Sequence, residues 1–459
     1  MQPIGAFFLF LFLPIVISLI ALTKKHRASV TSLCSLLYVV LLNLDKPKGL
    51  LAVLLVLLLV RLATLKKIAA RARALSLLLG ALCPLTLLIV AKATPWGRAD
   101  FPYGLTVIVL LSIATTVDTL RGTYTPPKHP LVFAGTLCFF PLLIAGPLVR
   151  GGDMVKYFKK QNPSTKNLYD GLRLYIIGCI YIFILAAPLY FIFERITATF
   201  GTAPDILLVT ACPLLATLLF MFFIKGAQHI ARGLALMCGI TIPSDSKNPY
   251  RANSAAGFFA AWHPSLAAYV SDYITTPIST VLSRHVRWGK LLSTLVTVCF
   301  LTAVLSPRDA VMPVALAILP LLCLQSIPAQ PQKAWYKALF CAVGTLILIV
   351  TIGFSFTLPA LSLPAIIPAW RTPADTLTLF LTSAFTKNLY YLYASILCLS
   401  PLIVTASLRQ VFILHVRHGI IRYRRLEMLV LLLLFFLILL YFTPRFPALA
   451  TKLLADLLL

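Results

Sequence analysis

Residues 172–193 read LRLYIIGCIYIFILAAPLYFIF, a run in which Arg173 is the only charged residue. As a helix rising 1.5 Å per residue it would be about 33 Å long, which matches the roughly 30 Å hydrocarbon core of a bilayer. Comparable runs recur at 4–22, 49–65, 75–92, 130–149, 204–224, 289–305, 336–357, 388–407 and 427–443. The pattern predicts an all-α polytopic membrane protein with about 10–13 transmembrane and re-entrant helices.

The composition excludes a soluble globule. Of the 459 residues, 60% are hydrophobic and 12% are charged, and the mean hydropathy is +0.95. That much apolar surface exceeds what one core could hide from water. Because no linker, fixed-period repeat or low-complexity tract divides the sequence, residues 1–459 are expected to form a single membrane domain.

The basic residues predict the orientation of the chain. Its formal net charge is +27, and many of the cations flank apolar runs, as Lys24, Lys25 and Arg27 do after the first one. Positively charged loops stay cytoplasmic, so the N-terminus is expected outside the cytoplasm. The first run lacks a basic n-region and a cleavage site and is expected to be retained as a helix.

The same charge pattern argues against a nucleic-acid partner, because no basic run is interleaved with exposed aromatic residues. Contact with anionic headgroups accounts for most of the cations, and a basic cytoplasmic face would also attract an acidic carrier or a phosphate-bearing cofactor. The ten cysteines stand singly and form no CxxC pair, so neither a metal site nor a disulfide framework is expected.

Three segments depart from the plain apolar pattern. The first is FPYGLTVIVLLSIATTVDTLRG at 101–122, followed by LCFFPLLIAGPLVRGGDM at 137–154. Pro141, Gly146 and Pro147 inside an apolar run predict a kinked or broken helix. The residues alone favour a kinked span with an interfacial charge pair at Arg150 and Asp153.

The second segment is FIKGAQHIARGLALMCGITIPSDSKNPYRANS at 223–254. Its glycines at near-helical spacing, Gly226, Gly233 and Gly239, permit close approach of another backbone. His229 and Arg232 lie one helical turn apart and share a face. Because polar residues interrupt the apolar pattern from 225 to 288, half-membrane or re-entrant helices lining a polar cavity are expected there.

The third segment is FFAAWHPSLAAYVSDY at 258–273. In a helix, Tyr269 and Asp272 would lie one turn apart, and Trp262 and His263 would stand at the polar entrance. An ionisable group within a membrane segment is a functional candidate by default. An amphipathic helix with its aromatic residues at the headgroups is the alternative interpretation.

Together these segments resemble the membrane-bound O-acyltransferase family, in the bacterial branch that contains alginate O-acetyltransferase and the D-alanyl transfer protein of teichoic acids. The matching stretches are FFPLLIAGPLVR at 139–150, GLRLYIIGC at 171–179, KGAQHIARGLALMCG at 225–239, NPYRANS at 248–254 and AWHPSLAAYVSDYITTPIS at 261–279. The resemblance covers roughly residues 40 to 330. It implies a ring of helices around a central tunnel, with its core at 101–305.

The resemblance also implies a function. An acyl group, acetyl or similar, would pass from a cytoplasmic donor to a hydroxyl of an extracytoplasmic glycan or carrier. The donor, an acyl-CoA or an acyl carrier protein thioester, would be a substrate, and no cofactor would be bound. The implied setting is the bacterial inner membrane, with the lipid bilayer, the glycan, and an acyl carrier protein or periplasmic acyltransferase as partners.

Two family histidines are associated with the chemistry. The first, in a WHxS motif, corresponds to His263, and the second corresponds to Ser306 within LTAVLSPRDA at 301–310. Serine cannot act as a base at neutral pH, so His263 or His229 is the candidate base. The residues expected at the substrate tunnel are Trp262, Ser265, Asp272, Tyr273, Gln228, Arg232, Asn248 and Arg150.

Three interpretations stay open at this point. The chain is an active O-acyltransferase whose base has moved, or an inactive relative that serves as a binding or passage subunit of an envelope glycan system. The third is a transporter of lipid-linked intermediates that resembles the family by chance. The resemblance favours the O-acyltransferase, and the loss of the second histidine favours the inactive relative.

Overall fold

The computed structural model of the chain describes residues 7–94, 100–143, 146–199, 206–245, 261 and 263–285, together with six positions between 289 and 300. All regular secondary structure in these ranges is helical, as predicted. The helices are α1 (Phe8–Leu22), α2 (Arg27–Leu42), α3 (Pro47–Ala63), α4 (Lys66–Arg71), α5 (Arg73–Lys92), α6 (Leu105–Leu120), α7 (Pro130–Leu137), α8 (Gly151–Lys159), α9 (165–199), α10 (Ile206–Met237) and α11 (264–285).

Two of the described helices are long and apolar enough to cross a bilayer. They are α5 and the Thr165–Phe193 part of α9, which contains the run 172–193. The predicted runs at 336–357, 388–407 and 427–443 lie outside the described residues. The helix count and the ring around a tunnel therefore stay predictions.

Helix α3 presents its leucines outward. Val53, Val56 and Val60 are buried, whereas Leu51 and Leu54 on the opposite side are 67% and 51% exposed. Exposure of such a continuous apolar stripe to water is unfavourable, whereas contact with lipid tails carries no such cost. The arrangement is typical of a helix whose outer face contacts lipid.

The segment between α7 and α8 confirms the predicted broken helix. Helix α7 ends at Leu137, a single 3₁₀ turn follows at Phe140–Leu142, and the described residues 146–150 before α8 are not helical. Phe140 packs among Phe8, Phe12 and Tyr38 of the first two helices. The neighbouring Cys138 and Leu143 belong instead to the core formed with α3, α5, α6 and α11. The broken segment thus lies between two packed cores.

Helices α9 and α10 run antiparallel in close backbone contact, as the glycine spacing predicts. A methyl group added at Gly178 would lie 2.6 Å from the carbonyl oxygen of Gly226, and one at Gly233 would lie 2.6 Å from that of Gly171. Both distances are shorter than van der Waals contact allows. The close contact between the two helices therefore requires glycine at these positions.

One boundary expected for this region differs in the structure. The polar residues from 225 onward do not begin a separate short helix, because α10 continues unbroken from Ile206 to Met237. The helix ends at Met237, and Gly239, two residues later, has a φ of 80°, which is a left-handed conformation. The N–H of Ile240 donates to the carbonyl of Ala235, which closes a glycine-type helix C-terminus. Packing against α9 buries most of residues 221–237 and so outweighs the local polarity.

We expect the Gly178→Leu substitution to lower the free energy of unfolding by about 3 kcal/mol or more, because the new side chain must separate α9 from α10. Thermal unfolding of the purified protein in detergent measures the effect. Gly152→Ala is the control, because a methyl group there meets only an ordinary 3.6 Å contact with the Tyr124 ring. Equal melting temperatures for Gly178→Leu and the native protein would contradict this packing.

Candidate active site

The first candidate cluster is a pair formed by His263 and Asp245. The Nδ1 atom of His263 lies 2.8 Å from Oδ2 of Asp245, and the two side chains are 14% and 3% exposed. Asp245 comes from the loop after α10, and His263 immediately precedes α11. An imidazole and a carboxylate held together out of water form a strong, charge-assisted hydrogen bond.

Ser265 completes the first cluster. Its backbone N–H donates to Oδ1 of Asp245 at 2.6 Å, and its hydroxyl donates to Oδ2 at 2.5 Å. The Ser265 hydroxyl in turn accepts the N–H of Leu148 at 2.9 Å, which connects it to the broken segment. Asp245 thus accepts hydrogen bonds from two residues at the start of α11, and its carboxylate is fixed in position.

The carboxylate determines where the proton of a neutral His263 lies. An ionised carboxylate can only accept hydrogen bonds, so Nδ1 of His263 carries the proton that points at Asp245. The basic lone pair is then on Nε2. This tautomer is the one that a histidine needs to take a proton from a hydroxyl while a carboxylate orients it and stabilises its charged form.

The second cluster surrounds Asp272 and Tyr273 on α11. Asp272 forms an ion pair with Arg150, and its carbonyl accepts a hydrogen bond from Arg121 at 2.9 Å. The Tyr273 hydroxyl donates to Oδ2 of Asp118 at 2.7 Å. These contacts join the third sequence segment to both stretches of the first segment, 101–122 and 137–154. The expected pairing of Arg150 with Asp153 is wrong, since Asp153 pairs with Lys156 within α8.

A π-helical turn at Ser271–Thr275 carries both residues of this cluster. The wider turn adds one residue to the helix and so changes the direction of the side chains on either side of it. Tyr273 also packs against Tyr269, whose hydroxyl donates to the carbonyl of Leu110. The turn therefore directs one aromatic pair onto α6 while Asp272 reaches Arg150.

His229, Gln228 and Arg232 form a third cluster on α10. The ring of His229 stacks on Tyr181 of α9, with centroids 5.7 Å apart and an interplanar angle of 18°. Arg232 donates through Nε to the carbonyl of Ile242 at 3.4 Å, three residues before Asp245. No hydrogen bond or ion pair among the described residues joins His229 to a carboxylate. Its role as a base stays a prediction.

Asp245 is the residue that the sequence interpretation missed. It lies in a short polar stretch of sequence, Ser244-Asp245-Ser246, that has the composition of an ordinary connection. Three of the predicted site residues lie outside the described residues: Trp262, Asn248 and Ser306. Within the described part of the chain, no group of three or more His, Cys, Asp or Glu side chains is placed to bind a metal ion.

The comparisons with known proteins define the class of protein. The family model "MBOAT, membrane-bound O-acyltransferase family" matches residues 31–302, and the chain belongs to this family. It is an integral membrane protein of the bacterial O-acetyltransferase branch.

Among the relatives, "Probable alginate O-acetylase AlgI" of Pseudomonas putida is 28% identical over 173 residues, which are 38% of this chain and 35% of the relative. Its counterpart in Pseudomonas aeruginosa is 29% identical over 174 residues, which are 38% and 33% of the two chains. "Peptidoglycan O-acetyltransferase" of Helicobacter pylori is 27% identical over 158 residues, which are 33% and 29% of the two chains. The chain thus spans about a third of the length of the curated relatives it matches.

Proposed function

We propose that the protein is an active O-acyltransferase that moves an acetyl or similar acyl group from a cytoplasmic thioester to a hydroxyl of an extracytoplasmic glycan. The observation that carries this proposal is the contact between Asp245 and Nδ1 of His263. Family membership supports membrane-embedded acyl transfer. The names of the relatives, an alginate O-acetylase and a peptidoglycan O-acetyltransferase, support a glycan acceptor and an acetyl group.

In the proposed reaction, Nε2 of His263 accepts the proton of the acceptor hydroxyl while its oxygen attacks the thioester carbonyl. A carbon–oxygen bond forms, and the carbonyl oxygen becomes an oxyanion. When that intermediate collapses, the carbon–sulfur bond breaks and the leaving thiolate receives the proton from the imidazolium. The products are an ester and a free thiol, and His263 is regenerated. Asp245 stabilises the imidazolium between the two proton transfers.

The same pair favours catalysis over the alternative of a binding or passage subunit. Removing a carboxylate from water costs several kcal/mol unless its partners compensate for the lost hydration. Here Asp245 is 3% exposed, and the partners compensating it are His263 and Ser265. A carboxylate aimed at Nδ1 of an imidazole is the arrangement that general-base catalysis uses. We therefore assign to His263 the proton transfer that Ser306 cannot perform.

The setting follows from the proposed reaction. We place the protein in the bacterial inner membrane with its N-terminus outside the cytoplasm, because the basic residues that follow α1 and α3 favour the cytoplasmic side. The thioester then reaches the site from the cytoplasm, as an acyl-CoA or on an acyl carrier protein. The acceptor, with a periplasmic acyltransferase as an assisting partner, lies on the other side.

Thiol release from a thioester tests this function directly. The full chain in proteoliposomes is supplied with acetyl-CoA or an acetylated acyl carrier protein, with and without an O-deacetylated bacterial polysaccharide. Free thiol is followed with a chromogenic thiol reagent. We expect release above that of empty liposomes with at least one donor, increased by the polysaccharide and matched by ester formation on it. Release equal to the blank with both donors would favour the binding or passage subunit.

A further inference from the structure

A stripe of basic side chains is the accessible face of the C-terminal half of α10. Between residues 221 and 240, the only partly exposed positions are Lys225, His229, Arg232 and Leu236. They follow the i, i+4, i+7, i+11 spacing of one helix face, so Lys225 and Arg232 stand about 10 Å apart along the axis. We call Lys225, His229 and Arg232 the basic stripe.

A ring contact and a carbonyl contact hold the two cations of the basic stripe. Among the described residues, the ion pairs include neither Lys225 nor Arg232. Lys225 lies 5.0 Å from the centre of the Tyr181 ring, and Arg232 donates to the carbonyl of Ile242. Ring and carbonyl contacts position a cation but leave its charge uncompensated. Uncompensated cations on a mostly buried membrane helix are costly and usually functional.

Gln228 provides an independent observation beside the basic stripe. Its side chain is 2% exposed, and within the described part of the chain neither its Nε2 nor its Oε1 has a hydrogen-bond partner. Nδ1 of His229 is in the same condition. A buried amide that makes no hydrogen bond is destabilising, and such groups in native structures call for a partner. Gln228 lies one turn from Arg232 and next to His229 in sequence.

We propose that Lys225, Arg232 and Gln228 form a binding site for the phosphate group of a ligand. A phosphate provides the missing negative charge, and its oxygens accept hydrogen bonds from the guanidinium, the ammonium and the Nε2 amide. Two sources offer this chemistry in the membrane: the coenzyme A part of the acyl donor and an anionic phospholipid. The first source rests on the proposed acyl transfer, and the second does not.

The site is also connected to the proposed catalytic pair. Arg232 holds the carbonyl of Ile242, and Asp245 follows three residues later in the same loop. A ligand that draws the guanidinium toward its phosphate acts on the loop that carries Asp245.

Two binding measurements on the full chain test the proposal. In nanodiscs of phosphatidylcholine, binding of radiolabelled acetyl-CoA is titrated. In discs that also contain phosphatidylglycerol, the lipids retained after gentle extraction are counted by native mass spectrometry. The variants are Lys225→Gln/Arg232→Gln and Gln228→Leu. The control is Lys66→Gln/Arg71→Gln, which removes the same charge from exposed positions on α4.

We expect the Lys225→Gln/Arg232→Gln variant to bind acetyl-CoA at least about 10-fold more weakly or to lose retained phosphatidylglycerol. Gln228→Leu should reduce binding of the same ligand. The control variant should bind both ligands as the wild type does. The affected arm identifies the source of the phosphate. Wild-type behaviour of both variants in both arms would overturn the proposal. If the wild-type protein releases no thiol but its variants still lose phosphatidylglycerol, the phosphate site is supported and the proposed acyl transfer is not.

Discussion

The His263→Ala substitution should reduce acyl transfer by about 100- to 10,000-fold, because it removes the group that takes the proton from the attacking hydroxyl. The melting temperature should also fall, because the buried Asp245 carboxylate loses one of its two partners, so the transfer rate is compared per amount of folded protein. The measurement is thiol release in proteoliposomes, made beside the melting temperature of the same preparation.

Two other histidines serve as comparisons for this result. His129 is exposed at the start of α7, and the His129→Ala variant should transfer acyl groups at the wild-type rate. His229→Ala decides between the two candidate bases that the sequence left open. If His229→Ala abolishes thiol release while His263→Ala retains it, the base has been assigned to the wrong residue.

The Asp245→Asn substitution should also lower the turnover number by about 100- to 10,000-fold, although the imidazole itself is untouched. An asparagine can donate through its NH₂ group to Nδ1, and this moves the imidazole proton to Nε2, where it blocks proton transfer. The Oδ1 acceptor for the N–H of Ser265 is kept, so the loop should remain in place. The KM for the thioester should change little, because the carboxylate does not bind the donor.

A second acid serves as the control for Asp245. Asp153 lies on α8, is 45% exposed and pairs with Lys156, and Asp153→Asn should leave turnover and melting temperature unchanged. A purely structural role for Asp245 predicts a lower melting temperature and less folded protein in its Asn variant. Normal turnover in a folded Asp245→Asn protein would show that the carboxylate does not orient the base.

Two local features of the fold could be predicted because membrane helices follow local rules. A break at Gly146-Pro147 and a close glycine contact at Gly226 and Gly233 depend on the residues at those positions, and both are present. The continuity of α10 through Lys225 and His229 could not be predicted in the same way. It depends on the apolar surface of α9, which the sequence of α10 does not contain.

The candidate site shows the same division. His263 could be found because it belongs to a recognisable motif, whereas Asp245 could not, because nothing local separates it from a loop acid. A weak signal existed: the chain has only 13 acidic residues, so each acid near an ionisable candidate had reason to be considered. The conspicuous acid of the motif, Asp272, is instead 39% exposed and belongs to an ion pair away from His263.

The π-helical turn at Ser271–Thr275 restricts how this family member can change in length. Deletion of a single residue there would restore an ordinary helical turn and shift the side chains within the turn, while the helix on either side keeps its direction. Tyr273 would turn away from Asp118, and Asp272 from Arg150, in one event. A single substitution in this turn removes at most one of these two contacts, whereas the loss of one residue removes both of them together. Selection should therefore preserve the number of residues in the turn more strictly than their identity.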